Sequence, residues 1–273
     1  MHRALVSAFD DGCFSIAKGA AYSAILSFFP VLATAAALLV RVRAEFASRT
    51  LQSFLAQIVP PGSEQLVIDQ FRLIGQRPRA YPVVTAMLSL WASATVVSSL
   101  MEGFHAAYRL TVRRPFLREA TVSILLVICS LVPMLGAMVL VLFGHQAERV
   151  VLSWMKVDPI LHPLEGTWRW ISLLARYAVA FGAIVFITGL LYYFGPNRRQ
   201  RWHRVWPGAI LATILWLAAT SGFGWYVRNI ASYNILYGSI GASIALLVWM
   251  YLMSLIAILG CEFNAESERM GSR

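Results

Sequence analysis

A chain of 273 residues that is 59% hydrophobic and 13% charged, with a mean hydropathy of +0.66, is too apolar for a water-soluble domain. Its formal net charge of +10, from 23 Lys and Arg against 13 Asp and Glu, is carried between long runs that hold no charge. Such runs recur along the whole sequence at bilayer-spanning length, so the composition points to an integral membrane protein and away from a soluble fold.

The first run is Gly19–Val40. Lys18 ahead of it and Ala33-Thr34-Ala35 within it resemble a signal peptide, but 22 apolar residues exceed a signal core and Arg41 follows as a stop. We therefore expect a retained helix. In the following stretch, 41–79, Phe46, Leu51, Phe54, Leu55 and Ile58 recur near helical spacing. Pro60-Pro61-Gly62 interrupts them, and Leu66, Val67, Phe71 and Ile74 resume the pattern. This reads as an amphipathic helical hairpin, either covering the bundle at the interface or forming a vestibule for an amphipathic substrate.

The second run is Ala80–Met101, the third Ala120–Ala147, the fourth Tyr177–Asn197 and the fifth Val205–Val227. Between the third and fourth, Trp154, Trp168 and Trp170 suit an interfacial belt. The sixth lies within Asn229–Cys261, too long for one crossing, and Gly238 with Gly241 places the start of the final helix near 238. The short alternating strands of a β-barrel are absent from the sequence. The expected fold is all-α and polytopic. A single membrane domain, 1–273, has helices at about 19–40, 80–101, 120–146, 177–197, 205–227 and 238–261, with outer-side loops 41–79 and 147–176.

With the N-terminus in the cytoplasm, that side receives 12 Lys/Arg in 55 residues, against 11 in the longer loops of the other side. The tightest basic loop holds Arg198, Arg199, Arg201 and Arg204 in seven residues. Density near helix ends sets orientation, so this turn is expected on the cytoplasmic face, anchoring the chain beside anionic headgroups. Clustered Arg beside a Trp also suits nucleic acid, but seven residues between two membrane helices leave no groove or stacking platform. Both termini are then cytoplasmic.

The five histidines show no H-x-x-x-H spacing, and G-x-S-x-G, a Walker loop and a dinucleotide fingerprint are all missing. The three cysteines form no disulfide framework. No enzyme activity, metal or cofactor is expected. Polar marks do occur inside the membrane. Pro30 and Pro133 fall within the first and third helices and end the shared pattern S-x-x-P-x-L, with Ser27 and Ser130 three residues ahead. Each Pro frees a carbonyl four residues earlier, at Leu26 and Cys129. The pair marks either a broken-helix repeat around a central site or a chance recurrence. The second helix carries Ser89, Ser93, Thr95, Ser98 and Ser99, then Glu102 and His105 where it emerges, either as a polar path or as close-packing positions. Ala218/Gly222 and Gly241/Ala245 are small pairs suited to helix contacts. The candidate cavity is thus Ser27, Pro30, Ser130, Pro133, Ser93 and Ser98.

The C-terminal third, with "AYSAILSFFPVLATAAALL" near the start, resembles the YihY/virulence factor BrkB family of bacterial inner-membrane proteins. The resemblance covers nearly the whole chain. It is most specific in Tyr237-Gly238-Ser239, in Trp249-Met250-Tyr251-Leu252 and in Gly260 through Glu266, which includes Glu262 and Asn264. It implies about six membrane helices, both ends cytoplasmic, and a role in envelope function or transport with no settled substrate. The family has carried a ribonuclease BN label, which no residue pattern here supports. Tyr233, Asn234 and Tyr237 precede the last helix, while Glu262 and Asn264 are expected to follow it. Glu262 is expected either to pair with the arginines of 198–204 or to couple protons or ions. The functional expectation is transport or handling of a lipid-like or small solute substrate. The alternatives are a non-transporting scaffold and, less favoured, a membrane-embedded enzyme. Membrane lipids are the expected partners and nucleic acid is not; protein partners and homo-oligomer formation stay open.

Overall fold

The structure is a computed structural model that describes residues 2–41, 81–112, 114–154, 165–229 and 238–271. The hairpin expected in 41–79, together with Tyr233, Asn234 and Tyr237, lies outside these residues. Helices supply all the regular structure among the described residues: α1 (His2–Asp10), α2 (Cys13–Arg41), α3 (Tyr81–Ala107), α4 (Phe116–Trp154), α5 (Glu165–Phe194), α6 (Trp206–Asn229) and α7 (Gly238–Gly271). A 3₁₀ turn, Trp202–Arg204, precedes α6. In hydrocarbon a helix satisfies its own backbone, which is why long apolar runs fold this way.

Six of these helices, α2 to α7, are long and apolar enough to cross a membrane. The chain is a polytopic all-α membrane protein. The helices extend past their apolar runs, because charged residues continue a helix as readily as apolar ones. Thus α5 begins at Glu165, and α7 continues to Gly271. Glu262 and Asn264 accordingly lie inside the last helix, not after it. Pro30 and Pro133 do not break their helices, since α2 and α4 run through both.

Each crossing helix packs on the next, and α7 returns to α2, so the six close into a ring; α7 also crosses to α3. Gly12, at φ 70°, turns the chain from α1 into α2, a backbone that a Cβ would penalise. The short α1 buries Ala4 and Ala8 against the bundle and exposes Leu5, Val6 and Phe9, an amphipathic disposition. Ser7 donates to Glu266 of α7 at 3.0 Å, so α1 and the end of α7 share one end of the bundle, here termed the terminal end.

The core concentrates there. Phe104 and Tyr192, both fully buried, meet edge to face at 5.3 Å, and the Tyr192 hydroxyl donates to the Ala257 carbonyl at 2.6 Å. Backbones touch at Gly208 and Gly260: a Cβ on Gly260 would stand 2.7 Å from Ala212 Cβ and 2.8 Å from the Gly208 carbonyl oxygen. Asn264 completes this crossing. Its Oδ1 accepts from Gly208 N–H at 2.7 Å, a donor that the first turn of α6 leaves unpaired, and its Nδ2 donates at 3.0 Å to the Val205 carbonyl, which also accepts from Ala209 N–H. Arg114 does the converse at the end of α5, donating to the Phe194, Gly195 and Pro196 carbonyls.

Candidate functional site

On α3 the residues Val84, Leu88, Trp91, Thr95, Ser98, Glu102 and His105 follow one another at alternating steps of four and three, which places them on one stripe of the helix. Polarity changes along it. Val84, Leu88 and Trp91 are exposed and apolar, whereas Thr95 to His105 are polar and lie towards the terminal end. At 1.5 Å per residue, the polar part reaches inward from the end of α3 by about 18 Å.

That polar part opens into a cleft of about 270 Å³ lined by Thr95, Ser98, Ser99, Glu102 and His105 of α3 and Glu119 of α4. The hydroxyl protons are committed: Thr95 donates to the Ala92 carbonyl at 2.7 Å, Ser98 to Glu119 Oε1 at 2.9 Å and Ser99 to the Thr95 carbonyl at 2.9 Å. Ser23 of α2 stands 3.0 Å from Ser99, and because a hydroxyl has one proton to give, Ser23 is the donor of that pair. His105, 4% exposed, accepts from the Asn197 N–H through Nε2 at 3.2 Å. The lining is rich in acceptors.

The sequence matches the family model for virulence factor BrkB over residues 4–273. The chain belongs to the virulence factor BrkB family. It is 25% identical over 246 residues to a UPF0761 membrane protein of Tolumonas auensis, covering 90% of this chain and 77% of that protein. It is 27% identical to a UPF0761 membrane protein of Xanthomonas campestris pv. campestris over 94% of this chain and 58% of the relative. It is also 29% identical to the ribonuclease-like protein YfkH of Bacillus subtilis over 65% of this chain and 62% of that protein. The chain thus spans less than two thirds of the Bacillus and Xanthomonas relatives. No solved structure matches it.

The positions singled out by the BrkB resemblance divide by location. Gly238 opens α7 and Trp249 is half-buried along it, while Gly260, Glu262 and Asn264 belong to the core at the terminal end. Glu262 is fully buried. Its partner is Arg269 at 3.5 Å, and its Oε2 has no hydrogen-bond partner among the described residues. The expected pairing with the basic turn falls instead to Glu268, which meets Arg198 at 2.6 Å and Arg204 at 2.7 Å. Helical geometry explains this, because Glu262 is fully buried in the bundle while Glu268, 6 residues on, is only partly buried. Arg198 also stands 4.3 Å from the centre of the Tyr108 ring. Burial is the main cause that pushes that hydroxyl well above the ordinary tyrosine range, so the cation faces a neutral ring. Arg199 and Arg201 are exposed.

Of the six cavity candidates, Ser98 lines the cleft. Ser93 lies on the opposite side of α3, in line with Val97 and Phe104. Ser27, 8% exposed, donates to the Ala24 carbonyl, not to that of Leu26. Pro30 and Pro133 are half-buried on α2 and α4, as is Ser130. None of these lines the cleft, but α2 and α4 are the helices that flank α3. Sequence reasoning missed Glu119, whose approach to Ser98 spans the α3–α4 connection, and Glu268. The 3–4 stripe of α3 was available in the sequence, but its division into apolar and polar halves was not used. Among the described residues, no group of three or more His, Cys, Asp or Glu is placed to hold a metal ion.

Proposed function

We propose that this BrkB-family chain binds and moves a lipid-like substrate, or a small solute, along the outer face of α3. The observation that carries the reading is the stripe from Val84 to His105, exposed and apolar at Val84, Leu88 and Trp91 and polar where it opens into the cleft by the terminal end of α3. Pro30 and Pro133 each stand 17 residues into their helices, on either side of α3, and supply matched weak points at which the flanking helices can part. In this reading the chain is one membrane domain of a bacterial inner membrane. Its termini and the 198–204 turn are cytoplasmic, anchored among lipid headgroups. It acts without catalysis and without nucleic acid.

Reconstitution tests it. In proteoliposomes holding fluorescent lipid analogues or common ions, the protein should accelerate transbilayer movement of at least one species over protein-free vesicles. If nothing moves, the scaffold reading takes its place. That alternative draws on the dense packing of Phe104, Tyr192, Gly208 and Gly260 at the terminal end. Purified protein should also leave RNA unbound; salt-sensitive RNA binding that disappears when Arg198, Arg199, Arg201 and Arg204 become Gln would reinstate a nucleic-acid role.

A further inference from the structure

We infer that Glu262 is a proton-binding site, and that the proton it takes up or releases sets how tightly α1 and α3 are tied to α7 at the terminal end. The inference concerns a different part of the molecule from the α3 stripe and stands whether or not the chain moves a substrate. Three observations carry it. The first is how little meets the carboxyl. Glu262 is fully buried, its Oε2 has no hydrogen-bond partner among the described residues, and its Oε1 meets Arg269 at 3.5 Å. That contact is long for an N–H···O bond. An ionised carboxylate presents acceptor sites on both oxygens, and out of water it needs donors at each. The acid form carries no charge to be met, so its single O–H is the smaller burden.

The second observation is the charge around it. Asp11, from the turn between α1 and α2, and Glu266, one turn on along α7, add negative charge, while Arg109 and Arg269 oppose them. Both cations have closer carboxylates. Arg109 sets its Nε 3.0 and 3.2 Å from the two oxygens of Asp11, and Arg269 lies nearer to Glu266 than to Glu262. The other titratable groups that interact with Glu262, the thiols of Cys13 and Cys261 and the Tyr108 phenol, supply no positive charge. Three carboxyl groups thus share two guanidiniums, and the least well served of the three is the one most deeply buried.

The third observation is what Arg269 holds. Its Nη2 donates at 2.7 Å to the carbonyl of Ala107, the last residue of α3, and its Nη1 donates to Glu266, which also accepts from Ser7 of α1 at 3.0 Å. A proton on Glu262 leaves Arg269 to these ties. Its loss places a full negative charge beside the same guanidinium, which draws Arg269 inward and loosens its hold on Ala107 and Glu266. The Arg269 side chain is 31% exposed, so water reaches the cluster and gives the proton a way in.

Infrared spectroscopy of the full-length protein in lipid vesicles tests the proton. The parent should show a carboxylic acid C=O band that disappears as the buffer goes from mildly acid to mildly alkaline. Glu262→Gln should delete this band, Glu266→Gln should leave it in place, and Glu262→Asp, which keeps an acid there, should shift it. The Asp variant assigns the band if the Gln variant does not fold. Hydrogen exchange of the peptides covering α1 and the end of α3 tests the tie. In alkaline buffer both peptides should exchange about tenfold faster in the parent than in Glu262→Gln, the difference made by one charge-assisted hydrogen bond, and in acid buffer the two proteins should agree. Comparison at equal pH removes the intrinsic pH dependence of exchange. A parent spectrum without such a band, or a band that neither Glu262 change deletes or shifts, overturns the site. Glu262 would then be a permanent ion pair of Arg269, and Glu262→Gln would speed exchange of α1 at every pH. A Glu262 band that titrates while exchange stays equal in the parent and in Glu262→Gln overturns the coupling to α1 and α3.

Discussion

Gly208 and Gly260 show how much a single hydrogen-sized side chain decides in this bundle. A methyl group at Gly208 would collide with the Gly260 carbonyl oxygen and the Asn264 amide, both of them rigidly held. Gly208→Ala should therefore force α6 and α7 apart, and overpacking of this kind costs about 1–3 kcal/mol. Gly182→Ala, where nothing lies within 4 Å of the added methyl, provides the control. It should be neutral or slightly stabilising, since Ala favours a helix over Gly by up to about 1 kcal/mol. Unfolding midpoints in detergent check both, and equal midpoints for the two variants would contradict the close crossing. Part of this was legible in the sequence, because Gly208 and Ala212 form a small pair of the same kind as Ala218/Gly222. Which pair meets another helix was not legible, and a Cβ on Gly222 would meet nothing within 4 Å. Spacing shows that a close approach is affordable on one face and leaves the partner unnamed.

At the level of elements, charge-free runs located the six crossings because burying a charge in hydrocarbon is costly. They could not locate helix ends, since outside the hydrocarbon a helix continues through Glu, Arg and Ser as readily as through Leu. The carboxylate that ties down the basic turn was hidden for that reason. Glu268 belongs to a stretch of α7 that hydropathy alone places beyond the membrane. The structure now separates two roles of the four arginines. Arg198 and Arg204 pair with Glu268, with 25%, 47% and 23% of the respective side chains exposed, so the cluster is worth about 1 kcal/mol after screening. Glu268→Gln should lower the unfolding midpoint, Arg198→Gln with Arg204→Gln somewhat more because the Arg198–Tyr108 contact is also lost, and combining all three should cost little more than the two Arg changes. Arg199→Gln with Arg201→Gln should leave the midpoint alone and weaken only the insertion bias. Strict additivity of Glu268→Gln with the Arg198 and Arg204 changes would show that the pairs do not act. The prolines make a different demand. If they are the weak points of α2 and α4, Pro30→Ala with Pro133→Ala should stiffen both helices and slow substrate movement severalfold. Unchanged movement per folded molecule would reduce them to packing.

The whole molecule is a ring whose terminal end is closed by α1, the basic turn and the tail of α7, all cross-linked through Ser7, Glu266, Arg269 and Glu268. Arg269 also donates to the Ala107 carbonyl at 2.7 Å, which draws the end of α3 into the same closure. An even number of crossings returns the chain to the side from which it starts, so this end must face one compartment as a unit. In the proposed reading that compartment is the cytoplasm, because loops dense in Lys and Arg beside helix ends resist translocation. Three native cysteines bear on the labelling experiment that decides it. Cys13 and Cys261 are buried in the core and out of reach of a membrane-impermeant maleimide, whereas Cys129 is exposed on α4 and should first be changed to Ala. In that background, a cysteine at Arg199 or Arg201 should react only when the reagent has access to the cytoplasmic face. A cysteine at Gln52 or Glu64, within the 41–79 segment, should react only from the outside. Labelling of the 199 and 52 positions from the same face would mean an even number of crossings between them. The chain from residue 52 to the basic turn, with α3, α4 and α5 as its crossings, would then need one helix fewer or one more in the membrane. Reaction of both at the opposite faces would instead keep all six crossings and invert the molecule, placing the carboxylate cleft of α3 in the outer leaflet.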